Sequence, residues 1–381
     1  MNPHYRIVLL SLITLISITG CALPSSTRSP SMDKTGWITH CFGRFLIDLP
    51  PDADIKAGYY LWGDGIEALD DSQQELTARV SEIERKLRNE RHKKTQDMMF
   101  IRRVGFENGG VGLLSWSSGV SLEAYSLDTF AISQPTWRAY RWKGDVSPDR
   151  ERRALEMSAA LARNLQSRDT NEVPNTPGFC IERAYIAGSD YQGERFDIGV
   201  TFPNYPGAHF EFSSSTGAEQ DRLLDRVGGF LMGAAKRIAG IETLRKRERS
   251  GAVPADEYLV AGSHQGQRLY TFAWEAQGKD GSITEPNISA GLEVGESDPD
   301  ANGKLPRPPF KSDKEALDLW DTIIDSIRLR PVSQDHSGQH SNRPTPQSPA
   351  TASRAQNFSD DYALEEFLAG LKPKEDWMDD L

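Results

Sequence analysis

The sequence predicts an α+β protein of two related lobes, each a mostly antiparallel sheet packed with helices, and three observations carry that expectation. The stretch from Phe100-Ile101 to Trp116 aligns without a gap on the stretch from Tyr258-Leu259 to Trp274, and each reads as two strands about a Gly-containing turn. Each of these hairpins follows a segment of helical patterning that ends in basic residues, 76–94 and 223–249, with Leu87-Arg88 matching Leu244-Arg245. Each half opens on an apolar strand with a cysteine, Cys41-Phe42-Gly43-Arg44-Phe45 and Phe179-Cys180-Ile181, and closes with a helix. The chain of 381 residues has room for two such cores at roughly 100–200 residues per domain. A formal charge of −11 excludes an ordinary nucleic-acid binder, and a hydrophobic fraction of 38% excludes a chain that crosses a membrane repeatedly.

The N-terminus sets an address. Residues 7–20 form an apolar run behind Arg6 that closes on Ile18-Thr19-Gly20-Cys21-Ala22. At about 1.5 Å per residue the run is shorter than the ~30 Å hydrocarbon core, so residues 1–20 read as a signal peptide rather than a span. Ile-Thr-Gly-Cys resembles a bacterial lipobox, which makes Cys21 the lipidated first residue of the mature chain; the alternative is a secretory peptide with a chance cysteine. Acyl chains would hold it in a membrane at about 0.8 kcal/mol per buried methylene. Ala22 in place of Asp points to the outer membrane. Residues 21–36, rich in Ser and Pro, read as a tether.

The N-terminal lobe spans residues 37–167. After its hairpin come a strand candidate, Val120-Ser121-Leu122-Glu123, and a closing helix with Ser147 as cap, Pro148 in the first turn, and Leu155, Ala159, Ala162 and Leu165 on one stripe. Residues 168–177 have the Pro/Asn character of a linker. In the C-terminal lobe, residues 178–331, Ala290-Gly291-Leu292-Glu293 is the matching strand. Its closing helix has a capping-box pattern in Ser312 and Glu315, then Leu317, Trp320, Ile323, Ile324 and Ile327 on the face opposite Asp318, Asp321 and Asp325. Helices are expected on one face of each sheet. In duplicated halves Cys41 and Cys180 fall in separate cores, which predicts two buried thiols rather than a bridge. Residues 332–381 read as a disordered acidic tail, with a short amphipathic partner helix as the alternative.

Catalytic and metal-binding patterns find little support. Gly262-Ser263-His264-Gln265-Gly266 lacks the spacing of a nucleophile elbow and reads as a hairpin turn. No His-Glu-x-x-His occurs, and His336 and His340 lie in the polar tail. Asp298-Pro299-Asp300-Ala301-Asn302-Gly303 begins like a calcium loop, but its twelfth position is Pro309, where a bidentate carboxylate is needed. Pairs such as Asp70-Asp71 are too common among 55 acids to nominate a general acid and base. No catalytic, cofactor or metal residue is therefore assigned. Trp116 and Trp274 read as core. Trp137, Tyr140 and Trp142, interleaved with Arg138 and Arg141, fit either a sugar- or protein-binding surface or a half-buried strand.

Beside this reading stands a resemblance. His40-Cys41-Phe42-Gly43-Arg44-Phe45-Leu46-Ile47-Asp48-Leu49-Pro50, then Gly178-Phe179-Cys180-Ile181, then Ala316-Leu317-Asp318-Leu319-Trp320-Asp321 through Asp325-Ser326-Ile327-Arg328-Leu329-Arg330-Pro331 is similar to the immunity proteins of type VI secretion lipase effectors, over roughly residues 37–331. The resemblance implies two lobes that grip a cognate secreted phospholipase, blocking its active site or the movement of its lid. It implies a stoichiometric inhibitor in the periplasm rather than an enzyme, with no cofactor and with its lipid anchor as the one membrane contact. Contact residues of that family lie in variable loops and do not transfer by motif; residues 296–309, expected at the cleft between lobes, are the first place to look. The acidic tail has no counterpart in the pattern. The competing readings are an envelope hydrolase with a scattered site and a generic outer-membrane adaptor.

Overall fold

The computed structural model describes residues 32–188, 193–229, 241–299, 301 and 304–332. The signal segment with Cys21, and the tail with His336 and His340, lie outside the described residues. Among the described residues no helix is long and apolar enough to cross a membrane.

The chain runs twice through one succession of elements. The first pass is β1 (Ile38–Phe42), β2 (Phe45–Leu49), β3 (Asp54–Leu61), β4 (Asp64–Leu69), α1 (Gln73–Asn89), β5 (Phe100–Gly105), β6 (Val111–Trp116), β7 (Tyr125–Ser133), β8 (Arg138–Val146), α2 (Glu151–Asn164) and β9 (Leu165–Ser167). The second is β10 (Gly178–Ile181), β11 (Ala184–Ala187), β12 (Glu194–Thr201), β13 (Ala208–Ser215), α3 (Leu223–Gly229), β14 (Glu242–Arg249), β15 (Ala255–His264), β16 (Gln267–Ala276), β17 (Asn287–Val294), α4 (Asp313–Ile324) and β18 (Arg328–Leu329). The long strands form one 12-stranded sheet in the order β14-β15-β16-β17-β13-β12-β3-β4-β8-β7-β6-β5. Read inward from either edge, each strand meets the counterpart of the strand at the same depth on the other side. The two passes join where β3 pairs antiparallel with its own equivalent, β12, from Asp54↔Thr201 to Leu61↔Glu194.

The short hairpins are exchanged. Strand β18, the last of the second pass, completes β1-β2, whereas β9, the last of the first pass, completes β10-β11. Both small sheets lie over the same face of the large one. There Phe42, Phe45, Ile47, Phe179, Ile181 and Ile186 pack with Leu161 of α2, Trp320 and Ile323 of α4, and the inward alternation Phe196, Ile198, Val200 and Phe210, Phe212 of β12 and β13.

The duplication is real, but the alignment legible in the sequence is displaced by one strand. Hairpin β15–β16 corresponds to β6–β7, not to β5–β6, so Trp116 and Trp274 are not equivalents. The segment 223–249 is not one helix. Its basic end is β14, where Arg245, Arg247 and Arg249 recur at the strand period and reach the fully buried Glu257 of β15. The Trp320 indole also donates to Glu257 at 2.8 Å, and Asp321 takes Arg245 and Arg249, pinning α4 to this edge. Residues 120–123 form a loop, and β7 starts at Tyr125. Helices are found on both faces: Leu76 and Val80 of α1 pack on Leu113, Phe130 and Ile132, on the side opposite α2.

The closing helix of the second pass is capped as its sequence predicts: the Ser312 hydroxyl accepts from the Glu315 N–H at 3.3 Å. The Glu315 carboxylate turns one residue further back, to the Lys311 N–H at 2.7 Å. In the first pass Ser147 precedes a short 3-10 turn, Pro148–Arg150, and α2 begins after it. Helix α1 carries the complete capping box, between Ser72 and Glu75.

Cys41 and Cys180 form a disulfide with Cα atoms 5.9 Å apart, which overturns the expectation of two separate thiols. Their equivalence is the reason they meet. Cys41-x-x-Arg44 and Cys180-x-x-Arg183 are the same hairpin in the two passes, and the exchange brings both hairpins to the seam, where Gly43 and Cys180 trade backbone hydrogen bonds of 2.9 and 2.8 Å. Residues 168–177 are not a bare spacer. The buried Arg168 guanidinium donates to six carbonyls, those of Cys41, Asp169, Thr170, Glu172, Ile181 and Ala184. Its counterpart Arg330 donates to the carbonyls of Pro174, Thr176 and Gly178.

Candidate partner-binding face

Among the described residues, helices cover the second face of the large sheet at its ends. Helix α1 roofs the strands of one edge, and α3, through Leu223, Leu224 and Val227, packs on Tyr258 and Ala273 near the other. Between them β3, β12, β13 and β17 present the polar half of their alternation. The cross-strand registers sort these residues into rows. One row is Lys56, Gly199, Glu211, Gly291 and Ala273. The row on one side is Asp54, Thr201, His209, Glu293 and Thr271; on the other side it is Gly58, Asp197, Ser213, Ser289 and Glu275. In the middle row Glu211 rises between Gly291 and Gly199; the His209 imidazole lies over Gly199, and α3 packs on Ala273.

The electrostatics of this face are uneven. The His209 Nε2 and Glu211 Oε1 lie 3.1 Å apart, and this hydrogen bond raises the imidazole and lowers the carboxyl relative to their ordinary values. Glu293, directly opposite His209, is pushed up by burial and then by the charge of Glu211. Asp197 is likewise pushed up by burial, with Arg195 3.4 Å away drawing it back. Glu275 is answered by Arg226 at 2.6 Å. Among the described residues no cation pairs with Glu293. The face thus offers hydrogen-bond acceptors and negative charge on the sheet.

Most residues singled out in the sequence lie elsewhere. Gly262 and Ser263 end β15, and Gln265 and Gly266, both at positive φ, make the turn to β16. His264 pairs with Glu296, and Gln267 donates to the Ser297 carbonyl at 3.1 Å, so the start of the 296–309 loop is tied to this turn, beyond the strand ends nearest His209 and Glu293. Within the calcium-like stretch Asp300, Asn302 and Gly303 lie outside the described residues. Asp71 holds Arg79 of α1 in two hydrogen bonds, 2.5 and 2.8 Å, a helix-end contact. Trp274 is core; Trp116 is half-buried against Tyr125 at 4.8 Å. Tyr140 and Trp142 are buried in β8, donating to the Glu182 carbonyl and the Ser158 hydroxyl, while Arg141 on the other face pairs with Asp128, the half-buried-strand alternative. Trp137 packs against the α1 cluster and Arg138 is half-buried.

Sequence reasoning passed over His209, Glu211, Glu293 and Asp197. The signal was available in Arg195-x-Asp197-x-Gly199-x-Thr201 against Phe196, Ile198 and Val200, and in His209-x-Glu211-x-Ser213 against Phe210 and Phe212.

Comparison with known proteins places these features in a family. The sequence profile of the Tle cognate immunity protein 4 N-terminal domain matches residues 38–133, and that of the C-terminal domain matches residues 172–332. No curated protein gave a match. The chain is similar to one in the crystal structure of the Tle4-Tli4 complex, at 62% identity and TM-score 0.77, covering 79% of this chain and 100% of that one. It is similar to the apo structure of the immunity protein TplEi of T6SS from Pseudomonas aeruginosa, at 62% identity and TM-score 0.76, covering 80% and 100%. A structure of TplEi complexed with "L" peptide matches at 59% identity and TM-score 0.71, covering 79% and 100%. Identity at this level over the whole length of those chains, together with both domain profiles, shows that this chain belongs to the Tle cognate immunity protein 4 family.

Proposed function

We propose that this protein binds and neutralises a cognate type VI secreted lipase effector of the Tle4 kind, covering the active site or holding the lid, and that it does so by stoichiometric binding without catalysis. The observation that carries this reading is the 62% identity to a chain of the Tle4-Tli4 complex, all of which this chain covers. The polar face between α1 and α3, with the acceptors of Glu211 and Glu293 on it, suits a contact surface. Mixing the purified full chain with Tle4 should give a 1:1 complex on size-exclusion chromatography and abolish lipase activity at equimolar ratio. Turnover of lipid by the chain alone, or undiminished Tle4 activity in its presence, would refute the reading.

The proposal extends to location and organisation. Residues 1–20 act as a lipoprotein signal peptide, Cys21 is acylated, and residues 21–36 tether two immunity lobes, 37–167 and 178–331, to the outer membrane, with 332–381 as an acidic tail. The lipobox-like Ile18-Thr19-Gly20-Cys21 supports the anchor, and the Cys41–Cys180 disulfide supports an oxidising compartment such as the periplasm. Labelled palmitate should enter the wild-type chain and not Cys21→Ser.

A further inference from the structure

We propose that the acidic segment 358–381 docks back on the N-terminal lobe of its own chain, on a basic and apolar shelf made by residues 91–98 and 117–124. This goes beyond effector binding and does not depend on it. Residues 91–98 join α1 to β5 and residues 117–124 join β6 to β7; the pairs Phe100↔Ser115 and Trp116↔Tyr125 put both connections at the same end of the strands. The fully buried His92 braces one against the other. Its Nε2 donates to the Ser121 carbonyl at 3.1 Å, and its Nδ1 accepts from the N–H groups of Lys94 and Thr95, each at 3.3 Å. The Gly119 carbonyl takes the Lys93 N–H at 2.7 Å.

The brace holds apolar side chains outward. Met98, Val120 and Leu122 are three of the eight large apolar residues exposed among the described residues, so exposure is concentrated here. Arg91, Lys93 and Lys94 stand exposed on the same connections. Arg79, Arg85, Lys86 and Arg88 of α1 each hold a carboxylate, whereas among the described residues none pairs with these three. Residues 79–103 carry nine Lys and Arg against four Asp and Glu, in a chain whose net charge is −11.

Charge and reach select the occupant. Segment 358–381 has eight Asp and Glu against two Lys, and Leu364, Phe367, Leu368 and Leu371 recur at the spacing of one helical face beside Glu365 and Glu366. A helix this short is marginal alone in water, so its stripe needs a surface. An apolar stripe among acids matches apolar side chains among cations. The described chain ends just past β18, whose Leu329 pairs with Phe45, and Phe45 packs on Phe196 of β12. From β12 to β6 is five strand spacings, about 24 Å. Residues 333–357, without a large apolar side chain, make a linker that spans about 28 Å as a coil and up to about 85 Å when stretched around the edge. Tethered at that distance, the segment meets the shelf at roughly millimolar effective concentration, which favours its own body over a second copy.

Hydrogen–deuterium exchange of the full chain at low salt tests this. Amides of 360–371 should exchange about tenfold or more slowly than in the free peptide, to an extent independent of protein concentration. Lys93→Glu/Lys94→Glu should return them to the peptide rate, and adding Glu365→Lys/Glu366→Lys should restore the protection. Peptide rates in the wild type, or protection unchanged by Lys93→Glu/Lys94→Glu, overturns the proposal. So does protection that grows with protein concentration, which means a second copy, or that needs Tle4, which means the effector. Should Lys93→Glu/Lys94→Glu not melt like wild type, Phe367→Ser/Leu368→Ser decides: it should speed exchange in 117–124, and an unchanged rate there overturns the proposal.

Discussion

Cys41 and Cys180 occupy the same place in the two passes of the chain and are bonded to one another, 139 residues apart in sequence. The bond therefore joins the halves at the seam rather than stapling either one internally. Closing a loop of that length removes unfolded-state entropy worth about 5 kcal/mol at most, and natural bridges deliver roughly 2–5 kcal/mol. Cys41→Ser/Cys180→Ser should lower stability by that amount in urea unfolding, and reductant should then have no further effect on the variant.

The exchanged strands predict how the molecule unfolds. Because β18 completes the sheet of β1-β2 and β9 completes that of β10-β11, neither half keeps its small sheet when the other is lost. Strands β3 and β12 add a backbone ladder from Asp54↔Thr201 to Leu61↔Glu194. Tryptophan fluorescence and far-ultraviolet circular dichroism should report one coincident transition. Two separated transitions would show that the halves are independent.

Arg168 and Arg330 are buried cations held by backbone carbonyls, and burial pushes both below the usual arginine value, Arg330 to about 10. A lysine has three donors and no planar fork, so it leaves several of the carbonyls around Arg168 unpaired. Arg168→Lys should destabilise by about 2–4 kcal/mol, and Arg168→Met by at least as much, since the same carbonyls lose every partner. Chemical denaturation measures both, and a loss below about 1 kcal/mol would refute the account.

Asp64, at the start of β4, is pushed up to about 6 by burial and then by the charge of Asp145. Its side chain rests over Gly144, where a Cβ would collide with the carboxylate. The folded state keeps this proton between about pH 4 and 6 while the unfolded state has lost it, so the contribution to stability falls as pH rises through that window. Asp64→Asn should match wild type near pH 4 and be more stable above pH 6, by on the order of 1 kcal/mol once solvent screening at this partly exposed group is allowed for. A difference that does not change with pH would exclude Asp64 as its source.

How far the sequence discloses this structure depends on the range of the interaction. Helix α4 was legible because its cap, Ser312, and its apolar stripe from Trp320 to Ile327 are local. The hairpins and the existence of a duplication were legible for the same reason. The register of the duplication was not, because a strand–turn–strand ending on Trp recurs at more than one depth in a meander, and matching Trp116 to Trp274 slipped it by one strand. Arg245, Arg247 and Arg249 looked like the end of a helix until Glu257 supplied the buried charge that their strand spacing serves. The disulfide is not legible because equivalent places in two halves suggest separation, whereas the exchange of hairpins turns equivalence into adjacency. The polar row was hidden for a related reason: Gly199, Glu211 and Gly291 sit on three strands and become one row only through register.

The layering of the sheet gives the molecule a front and a back. Strands β1 and β18, nearest the two chain ends, both belong to the hairpin layer, and Met32 packs into the core beneath it. Glu211 and Glu293 stand on the reverse side. Met32 and Leu329 therefore both lie on the hairpin side of the sheet, and the acidic surface of Glu211 and Glu293 is turned away from them.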